Sequence, residues 1–421
     1  MHQTLVRMQE ELRQWIDTLR TGFWLVPSIM LFTAIGLAAI LLHLDVHLDP
    51  GIKSHLFWAY SGGPESARSL LSTVAGSLIT AASVTVSLAS VALSIASQQY
   101  GSRVLRNFMR DSVTQVMLGI FVATFLYSVL IVRSIRGSDY GGFVPAISIT
   151  VGILLTLVSL LSLVYFIHHV SESIQASHII NSIAIDTEKS IHNLYPSSVG
   201  EPRGEADLKE IKLRDVGSIA FTKSGYIRSI ILSQLSELAR KRDVVLEVVV
   251  APGDFVLPGQ VAAYVYSSQP LTGEEINDSL GAFLLGGERT PIDDIRYQFQ
   301  QLTDIVVRAL SPGINDPFTA INGIDRMTSA LVQIARRPRP SAYRFDEDGH
   351  LLLVAHRPGL GDLLRETIAH ISIYAAGDRF VMAGLYRALA ILEPDLRTDD
   401  ERSTLLEVRG ELSRREATEA P

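Results

Sequence analysis

Four long apolar runs dominate the first part of the chain: Phe23–Leu44, Leu70–Ser97, Val113–Val132 and Phe143–Ile167. A helix crosses the bilayer hydrocarbon with about 20 residues, and each run is that long with few or no charges inside. The pattern predicts a four-helix transmembrane domain over residues 23–167. The first run is too long and starts too late for a cleaved signal peptide, and no small-residue cleavage site follows it. It reads as a retained helix that bends at Pro27. Ahead of it, residues 1–22 are expected as an amphipathic helix, with Leu5, Met8, Leu12, Trp15, Ile16 and Leu19 on one face. That face either lies on the inner membrane surface or packs on the protein itself.

The second run carries a further pattern. Ser69, Thr73, Gly76, Thr80, Ser83, Ser87, Ser90, Ser94 and Ser97 recur at spacings that alternate between four and three. On a helix this draws one seam with the 3.5-residue repeat of a left-handed supercoil. Elsewhere between positions 69 and 97 only Ser72, Ser77 and Thr85 are hydroxyl residues, and the rest are Leu, Val, Ile or Ala. At a rise of about 1.5 Å per residue the seam runs roughly 42 Å, longer than the ~30 Å bilayer core. Small residues let helices approach closely and hydrogen-bond across the contact. Nine in a row exceed what a packing motif needs, and the third and fourth runs offer only Gly119, Thr124 and Ser128 as a partial match. A copy of the same helix would match throughout. With three or more copies around an axis, the nine seam residues would line a pore.

After the last span the periodicity changes. A helical extension and a polar loop occupy 168–207, a small α/β module 208–270, and a mostly helical domain 290–421. Within the module, Ser218–Ile231 reads as a strand pair about Lys223-Ser224-Gly225, Leu232–Lys241 as a helix, and Val244–Val250 and Gln260–Tyr266 as strands. The turn sequence Pro252-Gly253-Asp254-Phe255-Val256-Leu257-Pro258-Gly259-Gln260 is similar to the corresponding turn of biotinyl- and lipoyl-type half-barrels. The resemblance implies a half-barrel architecture without swinging-arm chemistry, because the exposed hairpin lysine of those carriers is missing. Ser267–Arg289 reads as a linker. Thr290-Pro291-Ile292-Asp293 signals a helix start with Thr290 as its cap, and Asp316-Pro317 signals the next, through Arg336. Leu351–Ala355 is expected as a strand, and Gly361–Ala375, Asp378–Leu392 and Glu401–Arg414 as helices.

Charge orients this plan. The first arm and the loop between the second and third spans hold six Lys or Arg, against four in the two loops on the other side. Both termini are therefore expected in the cytoplasm, with Arg103, Arg106 and Arg110 at the inner mouth of any pore, in a bacterial inner membrane. Residues 1–142 hold 10 basic and 8 acidic residues, and residues 143–421 hold 27 and 36. An acidic cytoplasmic part argues against nucleic-acid binding. The chain has no cysteine, which removes disulfides, thiolate metal sites and thiol catalysis.

Other chemistry is sparse. His43 and His47, four residues apart, with His55, Asp45 and Asp49 could bind a metal, but the set as a whole has mixed spacing and reads better as an interfacial loop with Trp58 and Tyr60. His168 and His169 with Glu172 read as interfacial anchors. The four spans hold no Asp or Glu, which argues against ion-coupled transport. Asp293, Asp294, Asp304, Arg308, Asn315, Asp316, Asp325 and Arg326 could furnish an enzyme site, but no nucleophile–base or metal pattern joins them. No enzyme activity and no cofactor are expected. The turn Ser311–Phe318, through Ser311, Gly313, Asn315 and Asp316, could present helix N–H groups to an anion or partner, or simply form a capped corner. Arg336–Arg339 with Arg344 reads as a solvated loop or a contact to acidic lipid heads.

Three stretches resemble one bacterial family. They are Gln99-Tyr100-Gly101-Ser102-Arg103 leading into Asn107–Asp111, Thr114–Gly119, and Arg308-Ala309-Leu310-Ser311-Pro312-Gly313-Ile314-Asn315-Asp316-Pro317-Phe318-Thr319-Ala320. They are similar to the membrane proteins of domain-of-unknown-function family 2254. The resemblance implies a membrane location and no activity. The expected partners are the lipid bilayer, further copies of the chain and inorganic ions. The expected function is an ion channel lined by the seam and gated or sensed by the cytoplasmic part. A non-conducting scaffold or signalling protein that oligomerises through the same seam is the alternative.

Overall fold

The structure, a computed structural model, describes residues 24–47, 60–101, 111–137, 143–195, 216–267, 269–290, 293–338 and 341–419. The expected amphipathic helix at 1–22, His55, Asp49, Trp58 and the inner-mouth residues Arg103, Arg106 and Arg110 lie outside the described residues. The chain divides into two compact units that part between His178 and Ile179.

The N-terminal unit contains α1 (Leu25–His47), α2 (Pro64–Tyr100), α3 (Ser112–Ser134) and α4 (Ala146–Ser173), all long and apolar enough to cross a membrane. Their ends follow local chemistry. Pro64 occupies the first turn of α2, where a missing N–H costs nothing, and Gly101 ends it with φ at +92° and its N–H on the Ser97 carbonyl. The helix therefore begins six residues before the hydropathy run and outlasts it by three. Pro27 falls in the first turn of α1, so no bend is needed there. Pro145 sits just ahead of α4, outside it.

Two apolar clusters hold the bundle: Leu71, Tyr127, Ile131 and Ile149 toward one end, and Leu78, Ala82, Met117, Phe121 and Phe166 toward the other. Glycine sets the closest approach. A Cβ on Gly119 would stand 2.4 Å from Met30 Sδ and 3.3 Å from Pro27 Cα, so α1 and α3 meet there only because the side chain is absent. One expectation fails outright. Because α1 extends to His47, a carboxylate does lie within a spanning helix: Asp45 is fully buried. It accepts the N–H of Ile147 at 3.1 Å, the N–H of Ser148 at 2.9 Å and the Ser148 hydroxyl at 2.7 Å, which caps α4 from a different helix.

The C-terminal unit holds most of α5 (Ala176–Leu194), which follows a break at Ile174-Gln175 where a continuous helix was expected. Strands β1 (Val216–Ala220), β2 (Gly225–Ile230), β3 (Val245–Val248), β4 (Phe255–Val256), β5 (Val261–Tyr266), β6 (Phe283–Gly286), β7 (Tyr343–Phe345) and β8 (Leu351–Ala355) form two sheets. Their orders are β1-β5-β3-β8-β7 and β4-β2-β6. The pairing does not confirm a biotinyl- or lipoyl-type half-barrel. The expected pair β1 and β2 split between the two sheets, and β3 pairs in parallel with β8, Leu246 opposite Leu353 and Val248 opposite Ala355. A shared core of Ile219, Ile227, Leu246, Val256 and Leu353 joins both sheets to Leu235 of α6 (Leu232–Arg242).

The expected linker is structured. Thr272 and Glu275 form a reciprocal capping box that starts α7 (Gly273–Leu280), and β6 follows. Next, α8 (Ile295–Ala309) starts from Asp294, whose carboxylate accepts the Tyr297 N–H at 3.0 Å, and not from Thr290. Pro291 and Ile292 lie outside the described residues. Helix α9 (Pro317–Arg336) packs on α8 where a Cβ on Gly323 would meet Val306 at 2.4 Å. The expected helix 361–375 contains a π-helical turn, Arg365–Ala369, between Leu360–Leu364 and His370–Ala375. Helix α10 (Arg379–Leu392) is capped by Asp378, and α11 (Asp399–Glu419) buries Leu405, Val408 and Leu412 within a sequence that reads as polar.

Candidate functional site

Helix α2 buries one face and exposes another, and the sequence pattern separates them. Ala67, Leu71, Ala75, Leu78, Ala82, Thr85, Ala92 and Ala96 are buried against the rest of the bundle. Ser69, Thr73, Gly76, Thr80, Ser83, Ser87, Ser90 and Ser94 are exposed, and Ser97 is half-buried. The seam is thus not a contact among the four helices of the chain. Thr124 and Ser128 of α3 are buried, with Ser159 Oγ of α4 donating to Thr124 Oγ1 at 3.3 Å, and Gly119 faces α1.

Most seam hydroxyls for which a bond is seen turn back on their own helix. Thr73, Thr80, Ser83 and Ser90 donate to the carbonyls four residues earlier at 2.8–3.0 Å. Such back-bonding satisfies the donor and leaves the hydroxyl oxygen able to accept. The seam is therefore a row of acceptors with no formal charge. A Cβ on Gly76 would meet nothing within 4 Å, so this glycine serves no close contact inside the bundle.

A polar cluster closes one end of the bundle. Asp111 caps α3 through the N–H groups of Val113 and Thr114, accepts the Thr114 hydroxyl at 2.6 Å, and meets His169 Nε2 of α4 at 2.9 Å. Ser173 Oγ lies 3.2 Å from the same Nε2 and donates to the His169 carbonyl. A Ser–His–Asp relay needs the hydroxyl and the carboxylate on different ring nitrogens. Here both meet one, so the cluster ties α3 to α4 and does not build a nucleophile. Beside it lies a cavity of about 530 Å³ with a mainly aliphatic lining that includes Leu31, Val86, Leu118 and Val122, besides Asp111, Thr114 and Ser173. His168 pairs with Glu172 at 3.3 Å, while His43 and His47 lie on the last turns of α1 and not in the expected loop, their ring centres 4.0 Å apart and tilted by 38°. Asp45, offered by the sequence as a metal ligand, is committed to its cap.

In the C-terminal unit the turn Ser311–Phe318 forms a closed corner. Asp316 accepts the N–H of Thr319 at 3.1 Å and its hydroxyl at 2.6 Å, and these bonds hold its carboxyl below the usual aspartate range. Ser311 Oγ donates to the Arg308 carbonyl, the N–H groups of Ile314 and Asn315 bond the Ser311 carbonyl, and Asn315 takes φ of +48°. Gly313 is exposed beside them. These bonds use the N–H groups that would have met an anion. The basic break is likewise engaged: Arg336 pairs with Asp395 at 3.0 Å, Arg337 donates to the carbonyls of Ile191 and Tyr195, and Arg344 to that of Ser341. Arg339 lies outside the described residues.

Among the sequence's acidic candidates, Asp294 stands apart. It is buried, takes two bonds from Arg289 at 2.6 and 2.9 Å, and packs beneath the tight turn at Gly253. Burial pushes its carboxyl above the ordinary aspartate value, against the pull of Arg289. Asp346, Asp348 and His350 bring three ligand-type atoms within 4.8 Å, where the bonds of Asp346 to His350 close the β7–β8 turn. Asp45 and the Asp111–His169 tie escaped sequence reasoning because their partners are distant in the chain. The box Thr272–Glu275 carried a readable signal.

Four apolar helices of spanning length followed by a mixed helix and sheet unit define a membrane protein with a C-terminal α/β region. Residues 20–391 match the family described as predicted membrane protein (DUF2254), and the chain belongs to that family. It is similar to uncharacterized proteins of Mycobacterium tuberculosis strain H37Rv and of Mycobacterium bovis, 29% identical over 392 residues that cover 92% of this chain and 74% of each relative. No solved structure matches it.

Proposed function

We propose that the protein is a multi-pass inner-membrane channel formed by several copies, with the α2 seam around a shared axis and the C-terminal unit in the cytoplasm as gate or sensor. One observation carries the reading: α2 exposes a continuous row of hydroxyls on the single chain, while alanines line much of its buried face. Exposed α1 and α4 positions such as Phe32, Ile40, Leu157 and Leu161 suit lipid; a row of hydroxyl oxygens suits water or another copy. The bilayer, further copies of the chain and inorganic ions are its partners in this reading, and no reaction is assigned to it.

The back-bonded hydroxyls favour a second reading. A dry contact between copies, with hydroxyl oxygens accepting across it, would make a non-conducting scaffold. Single cysteines separate the two, and the chain has none of its own. In a conducting assembly, cysteines at Ser83, Ser87, Ser90 and Ser94 react with a water-soluble thiol reagent while those at Leu88 and Val91 do not. Replacing Ser87 and Ser90 by Leu then abolishes current in planar bilayers, since apolar rings gate by dewetting. Equal protection at all six positions selects the scaffold. A periplasmic reporter signal after Arg136 and a cytoplasmic one after Thr398 test the topology.

A further inference from the structure

We propose that the C-terminal unit holds a binding pocket for a small zwitterion of the amino-acid class, at the carboxyl ends of the parallel strands β3 and β8. Open α/β sheets place ligands just beyond such ends, because the chain leaves both strands there and its loops diverge. Val248 and Ala355, paired in register at the last positions of the two strands, line a cavity of about 170 Å³. At roughly 30 Å³ per water molecule, that space takes five or six waters or one molecule of amino-acid size.

The lining states what the occupant must carry. Val250 and Ile295 supply aliphatic wall, and Asp293, His356 and Arg357 supply charge or hydrogen bonds. Asp293 is fixed in place, because the buried Ser229 hydroxyl donates to its Oδ2 at 2.5 Å. Arg357 and His356 are exposed, and the Arg357 guanidinium donates to the Leu194 carbonyl at the end of α5, which anchors it. Asp294 also lines the cavity, but its oxygens are taken by Arg289 and the Tyr297 N–H.

Asp293 and Arg357 share this cavity and form no ion pair with each other. Opposite charges left apart in one small space are both satisfied by a ligand that carries the complementary pair. An ammonium meets Asp293, a carboxylate meets Arg357 and His356, and an aliphatic side chain lies on Val250 and Ile295. The proposal is independent of whether the membrane unit conducts.

Calorimetric titration of the full-length protein in detergent tests it, with L-leucine, L-alanine and glycine as probes. Leucinamide and isocaproate serve as controls that lack the carboxylate and the ammonium. Saturable binding of leucine, stronger than of glycine and absent for both controls, is expected. Asp293→Asn and Arg357→Gln each weaken it by about tenfold or more, the effect of one lost charged hydrogen bond. Ala355→Phe, which fills the cavity, abolishes it. Arg357 lies at the exposed rim, so its variant keeps the test decisive if Asp293→Asn does not fold. No heat from any of the three zwitterions, equal binding of the two controls, or wild-type affinity in a folded Arg357→Gln protein overturns the proposal.

Discussion

Helices α2 and α4 belong to the same bundle, and only α2 adds a row of hydroxyls to the aliphatic residues it turns outward. Helix α4 exposes Leu154, Leu157, Leu161 and Val164 and buries Ser148 and Ser159, whose hydroxyls find Asp45 and Thr124. Helix α2 buries mostly alanines and leucines, with Thr85, and exposes a row of serines and threonines flanked by Ile79, Val84, Val86, Leu88 and Val91. In α4 polar groups go where partners inside the bundle satisfy them. In α2 the smallest apolar residues take the inner face, and close packing there needs no hydroxyl. The outward polar face is what the packing of the four helices leaves unused, and the proposed contact between copies rests on it.

Removing an inner polar group should do the most damage. Asp45→Ala deprives α4 of three bonds to a buried carboxylate and should cost about 3 kcal/mol, read as a large fall in the thermal midpoint in detergent. Gly119→Val drives a side chain into Met30 and Pro27 and should cost about 2 kcal/mol. Asp316→Ala carries the contrast into water, where an exposed corner loses a helix cap worth about 1 kcal/mol. Because its folded pKa is depressed, that contribution is present above the unfolded value near 3.9 and is lost as pH falls below it. The variant's deficit against wild type should therefore shrink in acid. Gly76→Ala is the mildest: with open space around it, the subunit should gain up to about 1 kcal/mol of helix propensity. If Gly76→Ala instead dissociates the assembly, the seam is a close helix contact and not a pore wall.

Hydropathy made the four helices readable, since a spanning run needs no partner to be recognised. The seam was readable for the same reason: its repeat lies within one helix. Its direction was not, because alanine and serine are both small and only tertiary contacts decide which goes inside. Local capping signals succeeded at Asp316 and mislocated the start of α8, where Thr290 competed with Asp294. The sheet order was illegible. Strand β8 has the same apolar run it would have at any position in a sheet, and nothing nearby names β3 as its neighbour. The pocket at their ends, built from residues around 230, 250, 293 and 356, inherits that illegibility.

The parallel pairing of β3 with β8 also orders events during synthesis. Leu246 waits for Leu353, about a hundred residues later in the chain, before its strand is flanked on both sides. Until then β3 presents an open edge of the kind that templates aggregation, and pairing of this sequence separation forms slowly. Ribosomes add about 5–20 residues per second, so that edge stays bare for several seconds after β3 emerges. Chains stopped before Leu351 should thus accumulate as insoluble material even when their membrane helices have inserted, whereas chains stopped after α10 should not.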